Sequence, residues 1–509
     1  MEGHLVRPYD FLTGGPVPGR IQGWEGEYDI QFPGEKTIVG GEIVIARKDS
    51  LLLRTTAFKR AGIITFHHGI NHWLTNGGNF HLDVGLVESS SGELITPSEM
   101  AANKVGTTRR IGALTATVKG AEAHLHAGTT IGTSTRSTGF HDNSMLPYTV
   151  ADNARGIMPR LLDSFDATRI ASWGGRVGTH GFELSQKARS IGEPTTYAVG
   201  SRTAEGSKPM GWIKMGDFDV FGGSDRDRWA RSERRVVDPL FSRVATFISA
   251  CTDSLMLRLI EHRRTLPRKM PLGKLMLQDP LSNLHEVSTD ITLKKIYPTI
   301  DKNYTVTALN LQELYNDYFN QIATEVELPA DELEGIVLHR KVYDRLGKLD
   351  MPNGGLESAI GWVDWVAHFA FLRRRIPPKD IRASNAEAVQ RSIVWDTVQP
   401  EGPAMTYWNY LYDTGQAPDP LGDDLITYMQ KYPSPHTRAA VRGNLVRNHS
   451  TRGRLQAVDW KAIKIDDEVH ILHPYQTELS PTSSGQLTPR HPLPKIPTAK
   501  HIKNPTLNV

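Results

Sequence analysis

The chain has a single cysteine in 509 residues, Cys251, so no intrachain disulfide can form and a reducing, cytoplasmic setting is expected. It has no apolar run approaching the ~20 residues that span a bilayer, so no membrane association is expected. The opening residues, MEGHLVRPYDF, lack the apolar core of a secretory leader. Net charge is also scarce. The formal +3 resides in residues 476–509, where Arg490, Lys495, Lys500 and Lys503 face one acid, Glu478, and the body of the chain is neutral. A neutral body offers no surface for a phosphate backbone, so nucleic acid is not an expected partner. Internal repeats are missing as well.

What is present is an ordinary globular composition, 39% hydrophobic and 23% charged, in a chain long enough for two to four domains. Residues 1–20 are rich in Gly and Pro and suggest an N-terminal arm. From 21 to about 87, short runs with two-residue alternation, broken by Gly, Pro and Asn, predict strands and hairpins. Further strands are expected at 111–118 and 123–130, and a helix at 158–167. Between 243 and 262, Val244, Ile248, Cys251, Leu255 and Leu259 repeat at helical spacing. Cys251 lies on that apolar face, where a buried core thiol is the expected role. Helices are also expected at 309–322, 357–375 and 385–392. A compact mixed segment follows from 408 to about 472, then a flexible Ser/Thr/Pro/Lys tail.

Two strands carry acidic chemistry. In GWEGEYDIQF, a period of two puts Glu25, Glu27 and Asp29 on one face and Trp24, Gly26, Tyr28 and Ile30 on the other. Three adjacent carboxylates repel one another and need water or a cation to compensate. A solvated strand face would satisfy them, and so would magnesium holding a polyphosphate. In NGGNFHLDVG, the same alternation sets His81 and Asp83 opposite Phe80, Leu82 and Val84, with Glu88 five residues beyond Asp83. That strand could line a cleft or face solvent at an edge. The nearby His67, His68, His72 and Trp73 are expected to pack beside it, because a metal site needs a further convergent ligand.

Other short motifs follow in order: STGFHDN at 137–143, WGGRV at 173–177, LSQK at 184–187, DP at 279–280 and HEVSTD at 285–290. They continue with DWV at 364–366, TRAAVRG at 437–443 and VDW at 458–460. Together with GWEGEY at 23–28, Asn76-Gly77 and LDVG at 82–85, this series resembles the Pup ligase and depupylase family, which attaches and removes a small prokaryotic protein modifier.

The resemblance implies an α+β fold: a large glutamine-synthetase-like domain over 21–400, with a curved, mostly antiparallel sheet backed by helices. A small C-terminal α/β domain over 401–475 and a basic tail over 476–509 would complete it. It implies ATP and Mg2+ as cofactors, and as partners a Pup-like modifier ending in Glu and a lysine-bearing protein acceptor. The carboxylate would be phosphorylated and then attacked by the lysine amine. By the family's pattern Glu25, Glu27, Glu88, His141 and Asn143 would serve magnesium, and Asp83 would be the base for the incoming lysine. Arg438, Arg442 and Trp460 would hold ATP. His81, Arg176, Arg234 and Arg235 are candidate substrate or phosphate contacts, and Arg226 and Arg228 further basic candidates; a solvated charged face is the ordinary alternative for such clusters. Glu25 and Asp83 are 58 residues apart in the chain, which leaves little room for the depupylase insertion and favours a ligase. A family amidase, or a non-catalytic ATP-binding relative, are the alternatives. The chain departs from the pattern at His81 (usually Tyr), at Asp142 (usually Glu) and across 217–225, where the family has an Arg/Asp/His-rich run.

Overall fold

The computed structural model describes residues 20–31, 55–68, 70–83, 86–119, 121–124, 140–198, 208–215, 229–263, 271–351, 353–449 and 455–472. The N-terminal arm, the segment 217–225 with Arg226 and Arg228, and the basic tail lie outside them.

Alternating residues build the main sheet. Its first seven strands are β1 (Gln22–Gln31), β2 (Thr65–His68), β3 (Asn71–Leu74), β4 (Asn79–Asp83), β5 (Leu86–Ser90), β6 (Glu122–His124) and β7 (Phe140–Pro147). The order across the sheet is Thr196–Ala198, Gly211–Met215, Trp229–Arg234, β7, β1, β5, β4, β3, β2, with β6 pairing the far end of β1. All of these pairs are antiparallel except that between Thr196–Ala198 and Gly211–Met215, so the expected cradle is present. The β3–β4 hairpin turns at Asn76-Gly77, where Gly77 takes φ +78°, a conformation that favours glycine.

One face of the sheet is apolar and packs on helices. Trp24 and Tyr28 are fully buried there, with the Phe140 ring 6.1 Å from Trp24 and 5.7 Å from Tyr28. Gly26 sits among them because a Cβ would come within 2.8 Å of both the Trp24 and Phe140 rings. The helices Pro97–Ala116 and Arg243–His262 lie against this layer, and the second also packs on Ala330–Leu346. Ser242 caps Arg243–His262 by accepting from Ala245 N, and Cys251 is buried, its thiol pKa pushed well up first by burial and then by nearby carboxylates. His72 packs on Phe58 with ring centroids 4.7 Å apart.

Several elements differ from the sequence expectation. Residues 111–116 are the end of the long helix Pro97–Ala116, not a strand. Thr96 accepts from Glu99 N at 3.2 Å, Glu99 accepts from Ile95 N at 2.8 Å, and Pro97 opens the first turn, so the start signal lies well before the β-like run. The expected helix at 357–375 is a 3-10 turn, Leu356–Ser358, followed by Asp364–Arg373. The helix Ala330–Leu346 has no counterpart in the expectations above.

A second, smaller core joins Val441, Leu445 and Val446 of the helix Arg438–His449 to Leu455, Ile463 and Leu472, and to Trp73 of β3. The helices Pro403–Asp413 and Gly422–Lys431 contribute to the main core, so the second core of the C-terminal module is built from Arg438 onward. Its three strands, Leu455–Val458, Ala462–Ile465 and Glu468–Ile471, are antiparallel. Among the described residues no helix is long and apolar enough to cross a membrane.

Candidate active site

The face opposite the apolar layer collects the polar residues, and strand register decides which ones meet. Glu25 pairs across β1 with His141 on one side and Ser90 on the other; Glu27 pairs with Glu88, and Glu88 with His81. Asn143 pairs with Gly23 and Glu233. Directly opposed residues of antiparallel strands share a face, so Glu25, Glu27, Glu88, His81, His141, Asn143 and Glu233 form one surface. Asp83 is placed by its backbone: it ends β4 opposite Leu86, two residues beyond His81.

His141 Nδ1 is 3.5 Å from Glu25 Oε2 and 3.7 Å from Glu233 Oε1. Burial pushes the His141 pKa well below 6.5, helped by Arg235 and Lys187, so at neutral pH the imidazole is uncharged and keeps a lone pair for a ligand. His81 Nε2 stands 3.8 Å from Glu88 Oε1, which also accepts from Ser90 Oγ at 3.3 Å. Cations of the chain lie on the acids. Arg231 reaches Glu25 at 3.6 Å and Glu233 at 3.5 Å, while Lys214 and Arg235 each hold Glu233 at 2.8 Å.

A cleft of about 280 Å³ opens where this face meets the C-terminal module, lined by Glu25, Asn143 and Arg231 from the sheet and by Arg438, Trp460 and Lys461. Glu93 locks the two parts together. It accepts from Arg438 Nε at 2.6 Å and from Arg442 NH2, and Arg442 also donates to Gly77 O at 3.1 Å and Trp460 O at 2.9 Å. Burial would raise the Glu93 pKa, but the two guanidiniums bring it down to about 2. Trp460 meets Trp73 edge-on at 4.8 Å, and the Arg442 guanidinium lies 5.0 Å over the Trp460 ring.

Three sequence candidates stand apart from this cleft. Arg442 is 0% exposed with its donors committed, so it props up Trp460 rather than presenting itself to phosphate. Arg234 is buried on the opposite face against Asp166, and Arg176 is buried against Glu183 at 3.2 Å; neither is a phosphate contact in this arrangement. Arg235 borders the polar face, stacked 4.2 Å over Trp212. Conversely, Arg231 and Glu233 were not singled out above, although alternation along WARSER at 229–234 puts them on one face. Glu93 had no sequence signal, since its partners are some 345 residues away.

Asn143 is 9% exposed, and its Oδ1 is buried with no hydrogen-bond partner among the described residues. An acceptor left so beside a carboxylate and a neutral imidazole fits a cation. No three His, Cys, Asp or Glu side chains form a ready-made cage among the described residues. Magnesium does not require one, because it keeps waters and phosphate oxygens and takes only one or two carboxylates from protein.

The profile of the family described as Pup-ligase protein matches residues 20–464. The chain belongs to the Pup-ligase family. Among curated relatives, the Pup–protein ligase of Acidimicrobium ferrooxidans is 24% identical over 466 residues, covering 88% of this chain and 93% of that ligase. That of Sanguibacter keddieii is 26% identical over 471 residues, covering 88% and 94%. The fold is shared with two solved structures. One is the ligase PafA in complex with the ubiquitin-like protein Pup (TM-score 0.70, 18% identity, 91% of this chain and 90% of that one). The other is PafA with ADP (TM-score 0.64, 16% identity, 88% and 94%). Four of the Pup-ligase motifs therefore reach the cleft: GWEGEY through Glu25 and STGFHDN through Asn143 on the sheet side, TRAAVRG through Arg438 and VDW through Trp460 on the other.

Proposed function

We propose that this chain is an ATP- and Mg2+-dependent ligase that joins the side-chain carboxylate of a Pup-like modifier's terminal Glu to a lysine amine. The observation that carries the reading is the cleft itself, which sets Trp460 and Arg438 against Glu25 and Asn143. An aromatic ring and a guanidinium suit a nucleotide, and the acidic face suits the cation that accompanies its phosphates.

A carboxylate resists attack by an amine until one oxygen becomes a leaving group. The γ-phosphoryl passes to the modifier's carboxylate, leaving ADP and an acyl phosphate; the amine then attacks the acyl carbon and phosphate departs. Glu25, His141 and Asn143, with Glu27 and Glu88 beside them, would hold magnesium, which would supply charge neutralisation for phosphoryl transfer. Arg231 and Lys214 border the path of the anionic groups. Lysine is almost fully protonated at neutral pH, so its amine needs a base; Asp83, at the end of β4, takes that proton.

The test is to incubate the protein with MgATP and a Pup-like protein ending in Glu or in Gln, following phosphate release and adduct mass. An adduct that needs both ATP and the Glu form is the expected result. Conversion of Gln to Glu without an adduct would make the chain a family amidase, and nucleotide binding with neither product would overturn both.

A further inference from the structure

Beneath the polar face, on the other side of the sheet, lies a closed ring of buried charge. Asp142 falls between His141 and Asn143 in β7, so its side chain passes to the opposite face, where it is 1% exposed. It pairs with Lys104 Nζ of Pro97–Ala116 and accepts from Ser249 Oγ of Arg243–His262 at 3.5 Å. Ser249 Oγ accepts from Arg169 NH2 at 2.6 Å, and Arg169 NH1 meets Asp253 at 3.0 Å and Asp166 at 3.2 Å. Asp166 in turn accepts from Arg234 Nε at 2.7 Å. Arg234 is the cross-strand register partner of Asp142, which closes the ring.

Three carboxylates here meet three cations, so the ring is balanced. Apolar packing could fill such a space as stably. What paired charge adds is a fixed geometry, because each member's place is set by its partners. The two strands it fixes are the ones whose neighbouring positions lie on the polar face: His141 and Asn143 flank Asp142, and Glu233, paired with Asn143, precedes Arg234. We propose that Asp142 and Arg234 are positioning residues, anchoring their two strands from below so that His141 and Asn143, with Glu233 beside them, keep their places on the polar face where a divalent cation would be held. This rests on the reading of Glu25, His141 and Asn143 as magnesium groups.

Mn2+ binding in the presence of ADP, followed by electron paramagnetic resonance, tests it without reference to turnover. The proteins are the full chain, Asp142→Asn, Arg234→Gln and a control, Glu332→Gln. The control breaks a different buried set, Glu332 with Ser254 and Arg258, on the same helix Arg243–His262. All are measured below their melting temperatures. Asp142→Asn and Arg234→Gln should each weaken Mn2+ by about tenfold or more, as loss of an outer support does. Metal-free ADP binding should be unchanged in both, and Glu332→Gln should lower the melting temperature and leave Mn2+ affinity alone. Wild-type affinity in Asp142→Asn, or equal weakening by Glu332→Gln, would overturn the positioning role. Absence of Mn2+ binding by the unaltered chain would sink the magnesium reading itself. Should Asp142→Asn not fold, Ser249→Ala, which cuts only the link between Asp142 and Arg169, carries the same comparison.

Discussion

Glu25 is the residue on which most of the site converges, since it touches His141 and Arg231 and lines the cleft. Glu25→Gln keeps the shape and removes the charge, so phosphate release from MgATP should fall by about 10² or more, with raised Mg2+ requirement in a metal titration. Asp83→Asn should separate the two halves of the reaction: ADP binding persists, while adduct formation drops by about 10²–10⁴, the usual worth of a positioned base. Cys251 should resist alkylation in the folded chain and react on denaturation, because burial and neighbouring acids disfavour its thiolate. At this scale, the parity of β1 was readable, since Glu25 and Glu27 fall on the face that alternation assigns them, whereas His141 and Asn143 entered through the family motif and no strand was expected at β7. Parity also explains the miss one strand over, where Arg231 and Glu233 share the polar face and Arg234, next to Glu233 in sequence, points away.

Among the elements, β1 depends on a residue with no side chain. A methyl group at Gly26 would meet the Trp24 and Phe140 rings, so Gly26→Ala should cost about 1–3 kcal/mol in denaturant unfolding, as overpacking does. The helix Pro97–Ala116 offers the complementary test: Thr96→Ala removes its cap and should cost about 1 kcal/mol by the same measurement. That helix was misassigned near its end because Ile111, Leu114, Thr115, Thr117 and Val118 look strand-like over a short window. The deciding signal, the Thr96–Glu99 cap, lies some 15 residues upstream, and burial on several sides overrides local propensity. Helices with a clear apolar stripe and a Ser or Asn cap, such as Arg243–His262 and Ala386–Trp395, were readable almost to the residue.

For the whole molecule, the decisive contact is the seating of the C-terminal module through Glu93. Its carboxyl has an ordinary pKa of 4.5 and about 2 when folded, so its stabilisation is complete above pH 4.5 and drains away as pH falls from there toward 2. Acid titration should therefore release the module in that window, visible as a change in tryptophan fluorescence as Trp460 leaves Trp73. Glu93→Gln leaves two buried guanidiniums underpaired; it should destabilise the chain at pH 7 by about 3–5 kcal/mol and weaken ADP binding.

The sequence by itself determined the family, the curved antiparallel sheet and the acidic character of its polar face. The acidic face is written in local alternation along β1, while the family, and the sheet the resemblance implies, come from short motifs in a fixed order along the chain. Which side chains stand across from one another was decided only by the tertiary structure. Register sets Glu233 opposite Asn143 and 3.7 Å from His141, Glu93 reaches arginines hundreds of residues away, and Arg442, Arg176 and Arg234 are paired with buried carboxylates. A guanidinium has no preference in sequence between a phosphate and a carboxylate; whether it also lines the cleft, as Arg438 does beside Glu93 and Arg442 does not, is decided by the fold.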